Sequence, residues 1–285
     1  MLWLTISSSG FARSAPSPSV VLNNGVSMPL LSFGANVWDA ATCKTATTAA
    51  IAAGFRMIWS SQLVGGDCQT AQGQAIAASS VPRAELFVAG TADTMECSTH
   101  DDCYSRTVVA AEAQYGFLNV TTLDMLMLDY PSGSPGCGPV TGQWRAFEEL
   151  YAAKRVRTIA VSNFSPEQLQ CIASNKSATV PAVNQMNFHV GSGLQVLSDD
   201  AALGVVVQAY SALDSGGSLL SAPLLQSIGK AHSKSAAQVA LKWILQHNAT
   251  VNTQSTDAAY LKEDVELFDF MLSPDEMKQL DAYEP

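Results

Sequence analysis

The chain has 285 residues, 47% of them hydrophobic, which is ample for one large core. A net charge of −10 argues against nucleic acid and anionic membrane surfaces as partners, and no apolar run approaches the length of a membrane span. Charged residues make up only 14%, against about 25% in a typical soluble domain, so either a protein partner or larger assembly covers part of the surface or the chain carries a Ser/Thr/Ala-rich bias.

Residues 1–18 begin apolar and end in a Pro/Ser stretch without a basic region. They read as an N-terminal arm that docks on a partner, as a targeting remnant, or as plain disorder. A single domain over residues 19–285 follows. Two short apolar runs flank Asn23-Asn24-Gly25, a strong hairpin signal. Strand-like segments are predicted at 30–33, 55–58, 86–89, 125–128, 158–161, 182–186, 205–208 and 249–252. Helical patterns lie at 41–53, 68–78, 102–115, 142–153, 166–173, 195–202, 236–246 and 258–267. Ser165 and Ser273 each precede a Pro and acidic residues, as at a helix N-terminus. Eight strand–helix alternations predict an α/β fold, a closed (β/α)8 barrel, and no linker divides it.

The cysteines stand at 43, 68, 97, 103, 137 and 171, an even count that permits three disulfides. Free buried thiols are the alternative. Oxidation is favoured, and with it an oxidising or organelle-lumen compartment over the cytoplasm. No CxxC occurs and the four histidines are not at zinc spacing, so no metal site is expected.

Several strings then carry a resemblance: "LNNGVSMPLLSFGANVW", "WRAFEELYAAKRVRTIAVSNFSPEQL", "VPAVNQMNFH" and "SAAQVALKWILQ". In order along the chain they resemble the aldo-keto reductases. The resemblance implies a (β/α)8 barrel with a β-hairpin plugging its bottom and a nicotinamide cofactor at the C-terminal face. Family members reduce carbonyls with a Tyr proton donor, a Lys and an Asp that tune it, and a His that orients the substrate. Here the Asp position holds Trp59 and the Tyr position Val64; the Lys position holds Thr91 and the His position Asp129. All four are replaced, so the resemblance leaves no catalytic residue. An anionic Asp129 would repel a developing alkoxide.

The cofactor positions are better kept. The resemblance implies that Ser162, Asn163 and Gln185 hold the nicotinamide carboxamide, that Tyr210 stacks on the ring, and that Ser211 and Leu213 approach the pyrophosphate. At the 2′-phosphate site Gln254 and Tyr260 stand where the family has a Lys and an Arg, although Ser255 and Thr256 remain, and Asp214 adds a negative charge near the pyrophosphate. Losing two charge-assisted contacts of roughly 1.5–3 kcal/mol each weakens binding by about two to four decades. No resident cofactor is therefore expected, only weak NAD(P)(H) binding at a residual site. The retained set also has a purely structural reading, in which these side chains satisfy one another's hydrogen bonds.

The expectation that follows is a pseudoenzyme, an aldo-keto reductase-like barrel serving as a structural or protein-binding module. The first alternative is an NAD(P)(H)-binding oxidoreductase or redox sensor with a non-standard site. The second is a repurposed barrel enzyme using Asp129, Thr91 or Asp93. Trp59 is predicted to fill part of the former substrate pocket.

Overall fold

The computed structural model describes residues 17–175, 177–214 and 218–284, so the arm expected over residues 1–18 lies outside the described residues except for Ser17 and Pro18. A hairpin opens the description. Strands β1 (Ser19–Val21) and β2 (Ser27–Pro29) pair antiparallel with Val20 opposite Met28. Gly25 turns the chain at φ +82°, a conformation that favours glycine. Asn23 Nδ2 donates to the Pro181 carbonyl at 2.9 Å, and Asn24 Nδ2 donates to that of Arg157 at 3.1 Å. Both acceptors shortly precede barrel strands. The two asparagines that signal the turn therefore also pin it across the N-terminal end of the barrel. Leu22 and Met28 drive apolar side chains into that end, packing with Met57, Phe87 and Met125.

Eight parallel strands close the barrel: β3 (Leu31–Gly34), β4 (Met57–Ser60), β5 (Phe87–Ala92), β6 (Met125–Leu128), β7 (Ile159–Ser162), β8 (Val183–Asn187), β9 (Val206–Tyr210) and β10 (Thr250–Thr253). Closure is direct, since Val251 of β10 pairs with both Leu31 of β3 and Ala209 of β9. The strands read as near-continuous apolar runs because both faces are buried. Ile58, Val88, Leu126 and Val161 pack in the outer core against the helices. The alternate positions, Met57, Trp59, Ala89, Met127 and Ala160, form a second cluster inside the barrel.

The helices are α1 (Ala40–Ala53), α2 (Gly66–Ala78), α3 (His100–Leu118), α4 (Cys137–Ala152), α5 (Pro166–Ala173), α6 (Gln195–Ala201), α7 (Ser218–Ser221), α8 (Pro223–His232), α9 (Ala236–Gln246), α10 (Ala258–Val265) and α11 (Pro274–Asp281). Ser165, Ser235 and Ser273 each close a capping box with the Gln or Glu three residues on. Helices α3 and α4 begin earlier than the apolar periodicity predicts, α3 because Thr99 caps the backbone N–H of Asp102. Helix α8 was not foreseen, although Pro223 at its first turn is a start signal. The strand predicted from Phe55 begins at Met57 instead: Phe55 packs edge-on to Phe33, but its backbone N–H still bonds Ala50 of α1.

All six cysteines are paired. Cys43–Cys68 joins α1 to α2, Cys97–Cys103 closes the segment leading into α3, and Cys137–Cys171 joins α4 to α5. Among the described residues no helix is long and apolar enough to cross a membrane, and no group of His, Cys, Asp and Glu is placed to hold a metal ion.

Candidate functional site

A cleft of about 940 Å³ opens at the C-terminal ends of the strands, where barrels of this kind keep their chemistry. Its floor is set by β4. Trp59 is 9% exposed, and its ring lies over Gly34, where a Cβ would come within 3.0 Å of Trp59 Cε3 and 2.7 Å of Asn252 Nδ2. Glycine at this position is what admits the indole. Trp59 Nε1 is buried without a hydrogen-bond partner. The ring occupies the floor, and the cleft above it stays large, in keeping with the expectation that Trp59 fills part of the pocket.

Val64 sits in a tight turn after β4 and packs against Ala35, Ala71 and the Cys43–Cys68 pair. The position where the family resemblance places a proton donor is thus apolar. Thr91, on β5, is fully buried; its Oγ1 donates to Asp129 Oδ2 at 3.2 Å and accepts the backbone N–H of Gln62 at 2.9 Å. Ser61 Oγ donates to the same carboxylate oxygen at 3.0 Å and accepts the backbone N–H of Leu63 at 3.1 Å.

Asp129 therefore differs from its sequence reading as a simple anion. It is 3% exposed, and burial pushes its carboxyl up to about 6 against the pull of the Ser61, Thr91 and Ser162 hydroxyls, with the negative charge of Asp93 adding to the rise. The linkage sign follows. An acid whose folded pKa exceeds its unfolded value of 3.8 holds more protons when folded, so this contribution to stability falls as pH rises from about 4 to about 6. Asp129→Asn, which keeps the shape and an acceptor oxygen, is expected to match wild type below pH 4 and exceed it above pH 6 by on the order of 2–3 kcal/mol. Urea unfolding at the two pH values checks this; equal stability at both would remove the buried carboxyl from the account.

The seven residues assigned to a cofactor all line the cleft. Ser162 Oγ donates to the Gln185 carbonyl at 3.0 Å and accepts from Asn163 Nδ2 at 2.9 Å. Tyr210 donates its hydroxyl to Asn163 Oδ1 at 2.9 Å, and burial pushes that phenol up to about 12. Gln185 Nε2 donates to Gln208 at 2.7 Å. These contacts are the mutual satisfaction that a purely structural reading expects. Two features go beyond it. No described donor reaches Gln185 Oε1, and the backbone of Asn163, Ser211 and Asp214 is left-handed at φ +62°, +49° and +51°. Non-glycine residues held there cost of order 1 kcal/mol or more each and concentrate at functional sites. Ser211, Leu213 and Ser255 continue the lining.

At the far end the cleft is acidic. Gln254, Tyr260, Glu263 and Asp264 line it; Asp264 is pushed up to about 6 by burial, against the opposing pull of the nearby Thr253 hydroxyl. No Lys, Arg or His lines the cleft among the described residues. Asp214 has His189 Nε2 at 3.8 Å, which offsets part of its charge when protonated. An amide acceptor, an Asn and a tyrosine ring suit a nicotinamide carboxamide, while the far end does not suit a phosphate. Ser61, Tyr130, Glu263 and Asp264 were missed from sequence. Ser61 alone had a signal, lying two residues beyond Trp59 on the inward face of the strand period.

The comparisons bear on this geometry. The sequence model of the Aldo/keto reductase family matches residues 31–285. Morphine 6-dehydrogenase of Pseudomonas putida is 33% identical over 281 residues, covering 93% of this chain and 90% of that one. The 9,11-endoperoxide prostaglandin H2 reductase of Trypanosoma cruzi is 33% identical over 269 residues, covering 92% and 90%. The crystal structure of MGS-M4, an aldo-keto reductase enzyme from a Medee basin deep-sea metagenome library, superposes with a TM-score of 0.85 at 27% identity over 94% of this chain and 95% of that one. These findings correct the expectation of a non-catalytic structural or protein-binding module: the family and the relatives named here are oxidoreductases.

Proposed function

Because the chain belongs to the Aldo/keto reductase family over residues 31–285, we propose that it is a nicotinamide-nucleotide-dependent oxidoreductase with a non-standard site, interconverting an uncharged, largely apolar carbonyl compound and its alcohol. The observation that carries this reading is the convergence of Asn163, Gln185 and Tyr210 on one large cleft, with Asn163 held on left-handed backbone and the Gln185 amide oxygen left by every described donor for a ligand. In place of the expected absence of a cofactor, this reading puts the carboxamide against Asn163 and Gln185 and the ring against Tyr210. When bound, the reduced cofactor supplies two electrons and one hydrogen to the carbonyl carbon.

The chain's own residues set the preferences. Glu263, joined by Asp264 as it ionises above about pH 6, repels a 2′-phosphate and suits a ribose hydroxyl, which donates to a carboxylate. NADH is therefore favoured over NADPH. Val37 and Leu63 line the cleft and are 74% and 52% exposed, an apolar rim for an apolar substrate. The carboxyls of Asp93 and Asp129 disfavour an anionic one. The dehydrogenase and reductase names of the Pseudomonas and Trypanosoma relatives support the reaction class. The three disulfides support an oxidising compartment as the working environment.

The test is consumption of NADH by a neutral aromatic aldehyde such as 4-nitrobenzaldehyde at pH 6. Wild type is expected to turn over, more slowly than the order of 1–10 per second common for enzymes, and to favour NADH over NADPH. Asn163→Ala is expected to lose activity about tenfold or more through weaker cofactor binding. Absence of aldehyde-dependent oxidation of either nucleotide would overturn the proposal.

A further inference from the structure

Asp129 is an ionisable group at the strand ends of the cleft to which the family resemblance gives no productive task. It follows β6 one residue past the Leu128–Val161 pair, and so beside Ser162, buried yet lining the cleft. The hydroxyls that hold it have fixed directions. Ser61 and Thr91 each accept a backbone N–H, so each turns its own proton toward Asp129 Oδ2. The backbone of Asp129 is anchored as well, its N–H donating to the Ala92 carbonyl at 2.9 Å. One carboxyl oxygen is thus clamped from two neighbouring strand ends, those of β4 and β5, and no described donor bonds the other, Oδ1. This is the arrangement expected of a carboxyl held to act on a ligand through its remaining oxygen.

We propose that Asp129 is the acid–base residue of this site, giving the proton on Oδ1 to the carbonyl oxygen of the substrate during reduction and taking it back during oxidation. The inference rests on the oxidoreductase reading above. The balance closes without a further reactant. The carbonyl carbon gains two electrons and one hydrogen from the reduced cofactor, the carbonyl π bond breaks, and its oxygen binds the proton that leaves Asp129. The carboxylate that remains is reprotonated by water from the cleft.

The surroundings fit an acid that works near neutrality. Burial disfavours the charged form, and Asp93, on the segment after β5, adds a like charge. Ser61 after β4, Thr91 on β5 and Ser162 on β7 supply hydroxyls. Tyr130, next in sequence, and Tyr210 on β9 are the neighbouring phenols, and Tyr210 stays neutral throughout this range. No cation lines the cleft among the described residues. A neutral carboxylic acid stabilises a developing alkoxide, so the repulsion expected of an anionic Asp129 applies only once its proton has left.

Two variants and two readouts separate the outcomes. In protein without cofactor, labelled with 13C at the aspartate carboxyls, wild type is expected to show a resonance titrating near pH 6 that is missing in Asp129→Asn. Calorimetry is expected to show NADH binding equally to both. Reduction of 4-nitrobenzaldehyde by wild type is expected to fall above about pH 6, and Asp129→Asn to lose 10²–10⁴-fold in kcat with KM little changed. Tyr130→Phe is expected to keep the fall in rate above about pH 6 that Asp129 sets. Asp129→Asn retaining the rate, or Tyr130→Phe losing it while Asp129→Asn does not, overturns Asp129 as the acid and leaves the oxidoreductase reading standing. Failure of wild type to bind NADH overturns both.

Discussion

Trp59→Ala is expected to lower the melting temperature by roughly 6–12 °C, the counterpart of about 3 kcal/mol in a chain of this size. The ring belongs to the apolar cluster inside the barrel, which also holds Met57, Ala89, Met127 and Ala160, and it lies over Gly34. Truncating a buried Trp costs about 3–5 kcal/mol. The lower end applies here for two reasons. Nε1 has no partner, so its removal relieves a desolvation cost on the order of 1 kcal/mol or more. The space left behind also joins the cleft, and water can enter it. Far-UV circular dichroism melts of the two proteins check this, and a shift below about 2 °C would place the ring outside the core. Gly34 belongs to the same contact: Gly34→Ala forces a Cβ against Asn252 and the indole and is expected to destabilise in the same assay.

The paired substitution Cys137→Ser/Cys171→Ser is expected to cost about 3–4 kcal/mol. The bridge closes a sequence separation of 34 residues, and cross-linking a loop of that length removes about this much chain entropy from the unfolded state. Cys43–Cys68 spans 25 residues and is expected to contribute nearly as much, whereas Cys97–Cys103 spans 6 and contributes about 2 kcal/mol. Urea unfolding under non-reducing conditions measures each. Superimposable curves for the wild type and the Cys137/Cys171 variant would mean that this pair is not bridged in solution. Two of the bridges, Cys43–Cys68 and Cys137–Cys171, join neighbouring helices.

The barrel was legible because each strand is short, apolar and bounded by turn residues. The predicted strands overlap all eight in the barrel, and the segment at Met125–Leu128 coincides with β6. Errors fell at the boundaries, where side-chain packing and backbone pairing separate, as at Phe55. The residues that the resemblance singles out share one place in part: Trp59, Val64 and Asp129 line the cleft together with Ser162, Asn163, Gln185, Tyr210, Ser211, Leu213 and Ser255. Its chemistry was not. Whether Asp129 is a solvated anion or a buried acid depends on hydroxyls 68 and 38 residues away in sequence, and on a dielectric set by the closed barrel. Sequence also gave no reason to expect acids at the far end of the cleft, because Glu263 and Asp264 read as ordinary charges on an amphipathic helix.

The most direct test of the central claim, that this cleft holds a nicotinamide nucleotide, is calorimetric titration of the purified, disulfide-intact protein with NADH and with NADPH. One NADH per chain is expected, bound at least as tightly as NADPH and weakened about tenfold or more by Gln185→Ala, which removes the amide oxygen that no described donor occupies. No heat of binding with either nucleotide at concentrations up to about 1 mM would contradict it.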